Sequence, residues 1–448
     1  MLKGIRRVWN GFWFEKVASG PLGLLRLVIG FLATVSGLQL WPDRLAWFSE
    51  RGLFPTSISD TWNSLAAPGP RPLNFLHTFH SDWFITFFMA VFIAAALLMT
   101  VGLWSRVSTL IVYIGLNMIH DRNAAVNTAG SDCVLICMVF LLLLAPSGAS
   151  CSVDRLFRIL RGAEDDEAPR VAPWPLRLAQ IQVAIVYAVT ASSKLLGEQW
   201  RNGVAAYYPM SLPELSRFPV PLMDANHLWF VHFVTYSALA IEVALALLVW
   251  IPALRLPVLA GGVLLHLGIE YSLNLPLFSF LMIASYLSFI EQSDLEAFRV
   301  WLPRAIRLTR LRILFDGECE FCRSVLLILQ FCDAFRRIEF LDYHQPQQLA
   351  QTGGIAFSDA EKSAIAVDER GRRYPGYYAF RQAALRIPVL LPFVPLLYIP
   401  GVPLLGETAY KWVTENRSHL PVARRYRKKA EDEEAPHDGS ATQHKTLR

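Results

Sequence analysis

ILFDGECEFCRS, residues 313–324, runs from three apolar residues through an Asp-Gly turn into two cysteines one helical turn apart. The apolar run reads as a strand, and Gly317 permits the tight turn that carries it into a helix. Cys319 then falls at the helix N-terminus, where unpaired backbone N–H groups and the helix dipole stabilise a thiolate. Cys322 lies one turn further in, close enough to close a disulfide. This is the arrangement of a dithiol–disulfide exchange centre, with Cys319 attacking and Cys322 resolving. Asp316, Glu318 and Glu320 surround Cys319, with Arg323 as the opposing charge. Carboxylates oppose thiolate formation, so the pair is expected to be less acidic than a strongly oxidising one and to work as a reductant. A zinc half-site and a merely structural pair are the competing readings. No second Cys-x-x-Cys or Cys/His pair follows at useful spacing, and His344 alone does not complete a zinc site, so no metal is expected. Cys332 reads as a small buried apolar residue.

Working outward, an α/β pattern occupies 311–420: LRILFD as strand, CRSVLLILQFCDAF as helix, IEFLDY as strand, and SAIAVDERGRRYPG as a hairpin. Two or three helices are expected to close this domain. Residues 293–310 read as a basic amphipathic connector at a membrane surface. Residues 421–448 are charged and nearly free of large apolar side chains, which predicts a disordered tail.

Residues 1–292 read differently. Of the 448 residues, 54% are hydrophobic and only 18% charged, where soluble domains carry about a quarter charged residues. Apolar segments near 21–40, 83–104, 107–119, 132–146, 176–195, 228–251, 255–274 and 276–290 predict a multi-pass α-helical bundle of about eight spans in a lipid bilayer. The first segment lacks a cleavage signature and is expected to be retained. Lys3, Arg6, Arg7 and Lys16, with Arg155, Arg158, Arg161 and Arg170, place the N-terminus, and with an even span count the C-terminus, on the cytoplasmic side. The net charge of +5 is modest and follows the apolar segments, which argues for membrane orientation over nucleic acid.

Ionisable residues in or beside spans are costly and so are functional candidates. Here they are Arg26, His120, Arg122, Asp132, Lys194, Glu242, His266 and Glu270. Each alone has a plain structural reading: Lys194 snorkelling at a helix end, Arg26 paired with Glu242, or His266 bonded to a carbonyl. As a set, His120, Arg122, Asp132 and Lys194 fall on one side in the eight-span reading. A desolvated lysine there can act as a base, with histidine as a relay.

Asp316-x-x-Cys319-x-x-Cys322 after an ILF strand, with FLDYHQP, AVDERGRRYPGYYAFRQAAL and YKWVTENR behind it, resembles the DCC family of thiol-disulfide oxidoreductases. The resemblance implies a thioredoxin-like fold and disulfide exchange on a disulfide-containing protein or small thiol. HDRNAAVNTAGSD (120–132), LAPSGASCSVD (144–154) and YAVTASSKLLGEQWRNGVAAYY (187–208) resemble the HTTM family, the membrane region shared with vitamin K-dependent γ-carboxylase. That resemblance implies that Lys194, followed by Trp200, stands where the carboxylase has its quinol-deprotonating base. It also places His120 and His266 near carboxylase histidines. The large lumenal propeptide-binding domain of the carboxylase has no counterpart, so γ-carboxylation is not expected. The leading expectation is an oxidoreductase in a bacterial inner membrane, its thiol pair restored by a small thiol or by a quinone at the bundle. A maturation factor for an exported peptide with Lys194 as base, or a non-catalytic scaffold, are the alternatives.

Overall fold

All eight apolar segments of the N-terminal part are helical in the computed structural model, which describes residues 2–66, 73–123, 130–164, 167 and 169–420. They are α1 (Gly20–Leu40), α2 (Asp82–Val101), α3 (Ser105–Arg122), α4 (Ser131–Leu144), α5 (Trp174–Leu196), α6 (Leu228–Leu247), α7 (Pro252–Ser272) and α8 (Phe278–Ser285). Among the described residues of this part, five helices are long and apolar enough to cross a membrane: α1, α2, α5, α6 with its 3-10 extension to Trp250, and α7. α4 is only 14 residues long. α8 with its 3-10 continuation (Phe278–Phe289) is likewise short. α3 has 18 residues, but Arg106, Asp121 and Arg122 dilute its apolar character.

The chain divides into two units, Met1–Asp154 with Ala168–Gln292, and Arg155–Glu167 with Ser293–Arg448. In the first, α1 packs along α2 and α5 along α6. Gly30 makes the first pairing possible: a Cβ there would sit 2.8 Å from the backbone nitrogen of Thr100. Leu25, Ile29, Met89, Phe92, Met99, Leu116 and Met138 fill the core. Phe31, Phe87, Leu97, Phe233 and Leu264 are exposed on the outside, the surface that lipid covers in a spanning bundle.

The second unit holds a four-stranded mixed sheet of β1 (Leu311–Phe315), β2 (Ile338–Asp342), β3 (Ile365–Asp368) and β4 (Arg373–Pro375). The strand order is β2-β1-β3-β4. β1 runs parallel to β2 and antiparallel to β3, and β4 is antiparallel to β3. Strand side chains alternate between faces. Accordingly Leu311 and Ile313 pack with Ala366, Ala379 and Ala383 on one side, and Leu314 packs with Ile365, Val367 and Leu341 on the other. The β3–β4 turn is built on Asp368, whose carboxylate accepts from the backbone N–H groups of Arg370 and Arg372 and from Tyr374 Oη. Gly371 supplies the positive φ of +76° there.

α9 (Gln292–Ala305) precedes the sheet in the chain, and α10 (Glu320–Cys332), α11 (Tyr377–Ala384), a 3-10 segment Pro388–Tyr398 and α12 (Val402–Asn416) follow its first strand, with α11 packed on β1, β3 and β4. The 3-10 segment and α12 are apolar together and meet at a bend of 114°. The tail 421–448 lies outside the described residues, as do 124–129 within the HDRNAAVNTAGSD stretch.

Candidate redox site and intramembrane polar cluster

Cys319 is the N-cap of α10, with extended backbone, and its Sγ accepts a hydrogen bond from the backbone N–H of Cys322 at 3.2 Å. An N-cap acceptor satisfies one of the orphan donors of the first turn, so the helix that needs a cap also selects the thiolate. Neither cysteine is disulfide-bonded in the structure. The residues just before them hold this geometry. Asp316 Oδ1 accepts from the backbone N–H groups of Glu318 and Cys319, each at 3.1 Å. Gly317 donates its N–H to Asp342 Oδ1 at 3.2 Å, and a side chain at 317 would collide with that carboxylate.

Asp316 also gathers Arg417 and His344. Its Oδ2 is 3.1 Å from Nη1 of Arg417, just past α12, and its Oδ1 is 3.2 Å from Nε2 of His344. His344 stacks on Tyr343, ring centroids 4.4 Å apart. The Cys319 thiol is lowered to about 6, first by the hydrogen bond from the Cys322 thiol. Burial works against this; the Cys322 backbone N–H and Arg417 add to it, and Asp316 opposes it least. Cys322 is pushed upward by the same hydrogen bond and by burial, and so keeps its proton. The acids therefore do not dominate the pair, as their number in the sequence had suggested. Asp316 is neutralised by Arg417, and hydrogen bonds at a helix N-terminus outweigh a paired carboxylate. Strongly oxidising pairs reach about 3.5, so a thiol near 6 is activated without being extreme. Burial pushes the Cys332 thiol up, as befits an inert one.

In the membrane unit, Lys194 at the end of α5 is ion-paired with Glu242 of α6 rather than snorkelling, and its ammonium stands 4.7 Å over the Trp200 ring. Glu242 is buried and needs a cation. It is not the partner of Arg26, which instead bonds the carbonyls of Met99 and Cys151. His266 is buried and bonds Tyr187 Oη at 2.7 Å, which in turn bonds Tyr286 Oη at 2.5 Å. Side chains rather than a carbonyl satisfy this histidine. Lys194 acts electrostatically on His266, and Glu242 on both tyrosines, so the five form one polar cluster. His266 Nδ1 and Glu242 Oε2 are buried without a hydrogen-bond partner. Elsewhere, His120 is ion-paired with Asp132. With Cys133 they place three donor atoms within 4.8 Å of one another, although the ion pair already balances both charges. Arg122 is fully buried and holds the carbonyls of Phe48 and Phe54 at 3.1 and 2.9 Å, which is a loop-clamping geometry. Glu270 is ion-paired with Arg217.

A family model described as HTTM domain matches residues 56–293, more than half of the chain. The chain belongs to the HTTM family. A second model, DCC1-like thiol-disulfide oxidoreductase, matches residues 313–423, so this HTTM protein carries a DCC1-like domain at its C-terminal side. No curated protein and no solved structure matches it. The roles of several residues at both sites escaped the sequence reading, which weighed His344 only as a zinc ligand. His344, Asp342 and Arg417 sit in the FLDYHQP and TENR stretches, 23 to 98 residues from Cys319 by chain position. No local spacing connects them to it. Tyr187 and Tyr286 read as ordinary apolar-helix residues until the fold brings both to His266.

Proposed function

We propose that the DCC1-like domain exchanges dithiols and disulfides, with Cys319 as nucleophile, Cys322 as resolving thiol, and Asp316, Gly317 and Arg323 as support. The observation that carries this is the N-capping Cys319 Sγ, a thiol lowered to about 6 beside a protonated Cys322. Cys319 thiolate attacks a substrate disulfide, forming a mixed disulfide and releasing one substrate thiolate. Cys322 then gives up its proton and attacks Cys319 Sγ, closing the internal disulfide and releasing the second substrate thiolate. Two electrons leave the protein, so a dithiol must return them; in the reverse direction of exchange a quinone would take them up. Arg323 contributes its backbone N–H to the Cys319 carbonyl at 3.0 Å. The order β2-β1-β3-β4, with one parallel and two antiparallel pairings, supports a thioredoxin-like fold for 311–420. That all eight apolar segments are helical, five of them long enough to cross, supports an eight-span bundle over 1–292 with 293–310 as connector, and the basic residues at 3–16 and 155–170 support cytoplasmic termini.

The intramembrane cluster favours a coupled reading, in which the bundle receives a quinone. A buried imidazole nitrogen and carboxylate oxygen without partners, beside two phenols and an ammonium, suit the carbonyl and hydroxyl groups of such a ring. When bound, it supplies a two-electron, two-proton couple. Lys194, His266 and the tyrosines would orient it and hold the protons. The same cluster suits the second reading, maturation of an exported peptide with Lys194 as base.

The deciding experiment follows the protein in detergent by alkylation of Cys319 and Cys322 after adding ubiquinone or menaquinone to the reduced form. Loss of alkylatable thiols, absent in Lys194→Ala, is the expected result for coupling. An unchanged thiol state would remove the quinone and leave a small thiol as reductant. Reduction of an insulin-type disulfide by the parent and not by Cys319→Ser tests the exchange itself; an equally active Cys319→Ser would sink it.

A further inference from the structure

We infer that residues 387–406 of the DCC1-like unit form a re-entrant wedge that enters the lipid bilayer, docking the thiol domain on the membrane by a second, non-covalent contact. The stretch IPVLLPFVPLLYIPGVPLLG contains no Asp, Glu, Lys or Arg in 20 residues, between Arg386 and Glu407. Ile387 is buried at its root, but the large side chains beyond it do not form a core. Val389, Leu391, Phe393, Leu396, Tyr398 and Ile399 are exposed, and Leu404 and Leu405 reach 75% and 71%. A soluble surface rarely carries so continuous an apolar strip.

The geometry points to lipid as the occupant. Pro388–Tyr398 has 11 residues in 3-10 form, about 22 Å at ~2.0 Å per residue, short of a ~30 Å hydrocarbon core. α12 then departs at a bend of 114°, so the chain turns back instead of crossing. Backbone polarity is suppressed where water would be missing. Pro388, Pro392, Pro395, Pro400 and Pro403 carry no N–H, while Leu390, Ile399, Val402 and Leu405 donate theirs to Ile387, Leu396, Ile399 and Gly401. The root of the strip is fastened to the domain: Tyr377 Oη donates to the Leu397 carbonyl, and Tyr410 Oη accepts from the Ala364 N–H. Arg381 lies between the Tyr378 and Tyr398 rings at 4.7 and 4.4 Å, and Trp412 is exposed on α12, the aromatic and basic side chains of a membrane interface.

The strip is also delivered to the membrane by the chain. Arg386, at its start, bonds the carbonyl and hydroxyl of Thr309 at 3.1 and 3.0 Å. Thr309 ends the connector that follows the last apolar helix, and this connector exposes Phe298, Val300, Trp301 and Ile306. A second copy of the chain is the competing occupant, but it has no need of a segment stripped of backbone donors.

The test places a photo-crosslinking side chain at Leu396, Ile399 or Leu404 of the full chain in nanodiscs, with Glu361 as an exposed control. Lipid adducts at the three positions and none at Glu361 are expected, in protein whose Cys319 alkylates at the parental rate. A crosslinked dimer, a crosslink into residues 1–292, or no adduct at all would overturn the inference. Hydrogen exchange of the unmodified protein gives an independent reading. Slow exchange across 390–405 is expected in nanodiscs, and exchange there as fast as at the exposed Gly353–Gly354 turn would equally overturn it.

Discussion

Arg417 is the residue on which the thiol chemistry turns furthest from its own sequence neighbourhood. It neutralises Asp316 at 3.1 Å and favours the Cys319 thiolate. Arg417→Gln is therefore expected to raise the midpoint of Cys319 alkylation, slowing the reaction at pH 6 by about two- to fivefold, since an opposite charge nearby shifts such groups by up to a unit or more and this one is partly screened. Iodoacetamide rates against pH measure it. In the parent, the rate should climb through about pH 6 and level off above it, because only the thiolate reacts. The stability linkage has the same sign. Cys319 is depressed on folding from an ordinary value of 9.0 to about 6, so its contribution is full above pH 9 and is lost as pH falls through 6. The reduced protein should gain thermal stability from pH 6 to 9 relative to Cys319→Ser. The pair and its nucleophile were legible in ILFDGECEFCRS because a strand–turn–helix is a local object. Arg417 and His344 were not, because only the sheet and the last helix carry them back to Asp316.

Among the elements, hydropathy located all eight apolar helices, and apolar runs with the DERG turn located the four strands of the C-terminal sheet. What it could not convey was how closely they pack. Gly30 lets α1 approach the Thr100 backbone at 2.8 Å for an added Cβ, so Gly30→Leu is expected to separate α1 from α2. Overpacking of this kind costs about 1–3 kcal/mol or more, visible as a lower melting temperature in detergent by size-exclusion chromatography after heating. In the C-terminal unit, Asp368→Ala removes the acceptor for two backbone N–H groups and Tyr374. A loss of about 1–3 kcal/mol is expected, with faster hydrogen exchange confined to the β3–β4 hairpin. Residues 387–406 show the reverse difficulty. Their apolar character was plain in the sequence, yet it read as domain helices, since composition does not distinguish a buried core strip from an exposed one.

For the molecule as a whole, separate Lys194→Ala and Cys319→Ser variants test whether the membrane cluster and the thiol pair serve one reaction, through a cellular readout of disulfide status in exported proteins. Loss in both supports coupling, and loss in Cys319→Ser alone makes the bundle an anchor. The sequence by itself determined the two-part organisation, the thiol pair and the apolar spans, because hydrophobic periodicity and a Cys-x-x-Cys at a strand–helix junction act over a few residues. Tertiary structure alone decided the partners: Glu242 for Lys194, the two tyrosines for His266, Arg417 and His344 for Asp316. Charges and hydrogen-bonding groups buried in a low-dielectric interior must find complements in space, and distance along the chain does not say which ones they find.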